Sequence, residues 1–168
     1  FLMSGLMLGV PQEMLAQSAT TPTDLTAELT LAHVLTGDAK TDRITSEGLQ
    51  GLSNVLTLRT SIEPAPPYGV DLETDELAFF PFLYWPVTEG QPLPSSDAYA
   101  KLNAYLRTGG MILFDTRDAD LAQAGATSNA ARRLQQLALP LDIPPLEPLP
   151  ADHVLTRAFY LLQDFPGR

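Results

Sequence analysis

Short, nearly unbroken apolar runs alternate along this chain with segments of helical period, and that alternation restricts the fold more than any other feature. A strand covered on both faces reads as a continuous apolar run, because helices flank each side of a parallel sheet. Residues 28–35 (ELTLAHVL) alternate, then run apolar into a Thr36-Gly37-Asp38 loop. Residues 77–85 (LAFFPFLYW), 111–115 (MILFD) and 158–162 (AFYLL) continue the series. Pro81 inside the second run cannot donate to a ladder, so a bulge or an edge is expected there. Residues 63–68 (EPAPPY) are expected to be extended, since prolines forbid helix.

Three helices fill the intervals. Thr41 or Asp42 is expected to cap the first, which turns Ile44, Leu49, Leu52, Val55 and Leu56 toward one side. Ser95 or Ser96 caps the second, with Tyr99, Leu102 and Leu106 at helical spacing and Gly109-Gly110 as a left-handed stop. Ser128 or Asn129 opens the third, with Ala130, Leu134, Leu137 and Ala138 inward. Strand and helix in alternation predict a mostly parallel sheet with helices on its faces. The expected fold is an α/β three-layer sandwich, flavodoxin-like or amidotransferase-like.

Residues 1–10 (FLMSGLMLGV) carry no charge, but a full membrane span needs about 20 apolar residues. Residues 1–16 therefore read as the end of a transmembrane helix or a signal-like segment, with Ala16 and Ser18 spaced for cleavage. The polar residues 17–27 read as a linker, and residues 28–168 as the α/β domain, with domain sequence expected to continue past Arg168. The proline-rich stretch 139–150 stiffens a loop.

Composition excludes several functions. The 168 residues include no cysteine, so disulfides, thiolate zinc sites and a cysteine nucleophile are all impossible. Twenty acidic against ten basic side chains give a net charge of −10, which argues against a nucleic-acid partner. No G-x-S-x-G elbow, G-x-G-x-x-G or phosphate-loop motif is present, and no cofactor is predicted.

Ligands of such sheets bind outside the carboxyl ends of the strands. Gly37, Asp38, Trp85, Asp115, Arg117 and Asp118 fall there and are the candidate ligand-binding residues. Asp115 and Asp118 could hold a hard cation, or Arg117 could neutralise them. Without a third ligand no metal site is assigned. Among Phe79, Phe80, Phe82, Tyr84 and Trp85, a cluster expected to be core, Trp85 is the member expected to reach solvent. Arg132 and Arg133 are expected on a solvated face. His33 is expected to be a buried structural residue. His153, oriented by Asp152, is a weak candidate base with Asp115 or Asp118 as its acid–base partner.

Three stretches in combination carry a resemblance. They are residues 75–81 (DELAFFP) leading to Tyr84-Trp85-Pro86, residues 102–110 (LNAYLRTGG) leading to Phe114-Asp115-Thr116-Arg117-Asp118, and residues 150–162 (PADHVLTRAFYLL). Together they resemble the bacterial domain-of-unknown-function family numbered 4159, over roughly residues 28–168. The resemblance implies a fold similar to class I glutamine amidotransferases. It also implies a place at the end of a large inner-membrane protein whose start is like an aerotolerance regulator. Amidotransferase activity depends on a cysteine that this chain lacks. The expected function is a membrane-tethered, non-catalytic domain of the cell envelope that binds a small ligand or a protein partner. The alternatives are a hydrolase of small polar or carbohydrate-like substrates using His153 with Asp115 or Asp118, and an assembly module working through apolar patches.

Overall fold

The computed structural model describes residues 29–118, 127–144, 150 and 152–154. Strand β1 (Thr30–Val34) is buried along its whole length and is followed by helix α1 (Ala39–Arg59) and strand β2 (Ala65–Val70). A single 3-10 turn (Leu77–Phe79) precedes strand β3 (Phe82–Pro86). Helix α2 (Ser96–Arg107), strand β4 (Met111–Asp115) and helix α3 (Asn129–Ala138) complete the described elements. The strands form one parallel sheet in the order β2-β1-β3-β4. The expected α/β sandwich with a parallel sheet is thus observed.

Side chains alternate across each strand, which assigns the two faces. Leu83, Trp85, Ile112 and Phe114 point into one core with Tyr99, Leu102 and Tyr105 of α2 and Leu137 of α3. Leu31 and Leu49 are buried outside that cluster, on the opposite face, where α1 packs over β1 and β2. Helices therefore cover both faces, as crossover connections between parallel strands require.

Local signals set the element ends. The Ser95 and Ser128 hydroxyls accept from the amides of Ala98 and Ala131 and cap α2 and α3. Gly109, at φ +98°, ends α2 in the left-handed region. Gly110 leaves room for the Tyr105 ring, whose hydroxyl donates to the Met111 carbonyl at 3.1 Å.

Tertiary context changes four expectations. The 77–85 run is not one strand: its first third forms the 3-10 turn, and pairing with β4 begins at Phe82, one residue past Pro81. Phe80, in the break, is buried and stacks on Tyr68 at 5.3 Å. Helix α1 starts earlier than expected, capped by Asp38 rather than Thr41 or Asp42. Its sheet-facing side is Thr41, Thr45, Leu49 and Ser53, while Ile44, Leu52 and Val55 are exposed. On β4, Met111 and Leu113 are likewise exposed, so the described elements cover only one face of this strand. Strand β2 carries Pro66 and Pro67 where its register against β1 shifts, an edge position that tolerates missing donors.

The expected strand at residues 158–162 lies outside the described residues, as do the segments 1–16 and 17–27. Among the described residues no helix is long and apolar enough to cross a membrane.

Packing around Leu102, which is fully buried, gives a direct test. Leu102→Ala should lower unfolding free energy in urea by about 2–5 kcal/mol. Leu58→Ala, at a site 84% exposed, should change it by less than about 0.5 kcal/mol.

Candidate functional site

The chain runs from β1 outward to β2, then crosses back to place β3 on the other side of β1. Loops leaving β1 and β3 consequently diverge, opening a crevice at the carboxyl edge of the sheet. A cavity of about 420 Å³ occupies it, lined by Thr36, Gly37 and Asp38 on one side and by Thr88, Glu89, Gly90 and Pro92 on the other.

The first wall is built by the start of α1. Asp38 accepts from the Lys40 amide at 3.0 Å and from the Thr41 hydroxyl at 2.9 Å. These donors, the Thr41 hydroxyl foremost, hold its carboxyl below the ordinary range, and the Arg117 charge acts in the same direction. Asp42 accepts from the amide and hydroxyl of Thr36 at 2.9 and 2.7 Å. Gly37, at φ +80°, makes the left-handed turn between Thr36 and Asp38.

The second wall is pinned from the core. Trp85, expected at the surface as a ligand contact, is fully buried instead, with its ring 5.2 Å from that of Phe114. Its indole N–H donates to Oε1 of the buried Gln91 at 3.1 Å. The Gln91 carbonyl accepts from Arg133 Nε at 2.8 Å and also from Nη2. Arg133, expected on a solvated face, is half-buried by this reach from α3. Asn129, on the same helix, donates to Glu89 at 2.7 Å. Sequence reasoning missed Gln91 and Arg133, whose roles depend on a contact 42 positions apart.

Beside the crevice, the end of β4 is tied to α1. Asp115 accepts from the Tyr84 hydroxyl and, at 2.8 Å, from the Arg117 amide. Burial, reinforced by the Asp115 carboxylate, pushes the Tyr84 phenol far above its ordinary value. Arg117 adopts φ 51°, uncommon for a residue with a Cβ, and its guanidinium donates to Thr41 at 3.4 Å. Thr41 thus links Asp38 to Arg117. Asp118 accepts from the hydroxyls of Thr116, at 2.5 Å, and Ser128.

Of the candidate residues, Gly37 and Asp38 line the crevice, Asp115 and Arg117 adjoin it, and Trp85 supports it from behind. Asp118 turns toward the α3 cap. His153 lies in a turn where its amide donates to the Pro150 carbonyl at 3.0 Å. Among the described residues no three His, Asp or Glu side chains gather to hold a metal ion. His33 is buried, as expected, and burial lowers its pKa.

Two consequences are measurable. Trp85→Phe keeps the ring but strands the buried Gln91 oxygen, and should cost about 1–3 kcal/mol in urea unfolding. Because the Asp38 pKa is lowered on folding, its stabilisation is complete above the unfolded value near about pH 4 and is lost as pH falls through the folded value. Between about pH 6 and about pH 3, Asp38→Asn should therefore show a shallower loss of stability than the wild-type chain.

Comparison with known proteins places this geometry in a family. No curated protein matches the chain. The family model for a Domain of unknown function (DUF4159) matches residues 30–168, a stretch that opens on β1 and includes both crevice walls. The chain belongs to the DUF4159 family.

Proposed function

We propose that this chain is a non-catalytic ligand-binding domain of the bacterial cell envelope, tethered to the inner membrane through residues 1–16. Its ligand is a small polyhydroxylated molecule held in the crevice between the β1 and β3 loops. One observation carries the reading: each crevice wall carries an acidic residue braced by hydrogen bonds, Asp38 by Lys40 and Thr41 and Glu89 by Asn129. Bracing removes ordering costs that binding would otherwise incur.

The charge pattern supports this ligand class. Two acidic side chains disfavour an anion, and the nearby Arg117 charge offsets the attraction of Asp38 for a cation. Carboxylates accept well from neutral hydroxyl donors, with Gly37 and Gly90 leaving space for close approach. In the hydrolase alternative, Asp115 or Asp118 would work with His153. Both aspartates accept hydroxyl donors, from Tyr84, Thr116 and Ser128, and neither lines the crevice.

Isothermal titration with methyl β-glucoside, glycerol and spermidine tests the reading. The glucoside should bind more tightly than spermidine, and Glu89→Ala should weaken it about tenfold, the loss of one charge-assisted hydrogen bond. Preferential binding of spermidine, or a glucoside affinity indifferent to Glu89→Ala, would contradict it.

A further inference from the structure

We infer that the crevice continues into a second, apolar compartment, so that the ligand is an amphiphile: a polyhydroxylated head joined to a short hydrocarbon or similar apolar group. This inference rests on the ligand class proposed above and adds the part of the molecule that the first cavity does not hold.

A second cavity of about 300 Å³ lies over the carboxyl ends of β1 and β2, and Pro92 lines both cavities. Much of the polar side-chain capacity around it is engaged elsewhere. Glu73 uses both carboxylate oxygens on Ser95, accepting from its amide at 2.9 Å and its hydroxyl at 2.5 Å. Asp71 accepts from the Glu73 amide at 2.9 Å. Gln91 is buried and spends its side-chain oxygen on Trp85. Hydrocarbon makes up the larger part of the cavity's lining, contributed by Leu35, 44% exposed, Leu93, 50% exposed, and the rings of Pro92 and Pro94.

Leu35 lies directly over Gly69 of β2. A Cβ added at Gly69 would lie 2.8 Å from Leu35 Cδ2, so a larger residue there would displace the end of the leucine side chain. Two exposed leucines facing one cavity, adjacent to a polar crevice, form an amphipathic site rather than scattered surface residues. The head of the ligand meets Asp38 and Glu89, and its apolar group crosses Pro92 toward Leu35 and Leu93.

The test compares methyl β-glucoside with n-butyl β-glucoside, each titrated into the full chain in phospholipid nanodiscs, with empty nanodiscs subtracted. Burial of roughly two methylenes predicts that the butyl compound binds about tenfold more tightly. Leu93→Asn and Leu35→Asn, both at exposed positions, should each shrink that ratio toward one. Equal affinities for the two glucosides would overturn the apolar compartment while leaving the polyhydroxyl reading intact. A butyl preference that survives both substitutions would overturn it too, because the gain would come from another surface. Failure of both glucosides to bind would overturn this inference together with the reading beneath it.

Discussion

Parallel strands cannot be joined by tight turns, and most of this structure follows from that constraint. Each strand must return through a crossover; α1 and α2 form two of them over the sheet's faces, a 3-10 turn interrupts the third, and successive loops gather at one edge. Once the chain has gone from β1 to β2 and must regain the other side of β1, the loops above β1 and β3 point apart. The crevice is therefore a product of strand order. Its chemistry is then a matter of which side chains the two loops carry.

Core and crevice share residues. Trp85 fills the space against Phe114 and also fixes Gln91 through its indole N–H. Arg133 reaches the Gln91 carbonyl from α3, whose Leu137 is anchored in the same core. Asp38 caps α1 while facing the cavity. Loss of packing at β3 or α3 thus reaches the crevice wall through two or three hydrogen bonds. Arg117, strained at positive φ and linked to both Asp115 and Thr41, ties the end of β4 to the other wall.

Features written in local chemistry were legible in the sequence. Ser95, Ser128 and Gly109 act within one turn of the helix ends they define, and the apolar runs 30–34 and 111–115 identify strands by composition alone. Gly37 and Asp38 could be placed near the site because they directly follow the first strand, and ligands of such sheets bind outside the carboxyl ends of the strands. Features set by contacts between distant segments were not legible. Trp85 looks like an exit residue until α2 and β4 enclose it. Arg133 looks solvated until Gln91 arrives opposite. The inward face of α1 is spelled in threonine and serine, which a search for leucine stripes passes over, and Ile44, Leu52 and Val55 drew the expectation to the wrong flank. The apolar run divided at Pro81: its first third turns as a 3-10 helix, and ladder pairing begins one residue later, at Phe82.

The account stands on the location of the ligand. Backbone amide shift mapping of the isotope-labelled chain during titration with methyl β-glucoside measures that location directly. The account predicts that perturbed amides cluster at residues 36–38 and 88–91, with Trp85 and the face bearing Met111 and Leu113 unmoved. Perturbations confined to Met111 and Leu113, or none at the crevice at saturating glucoside, would contradict it.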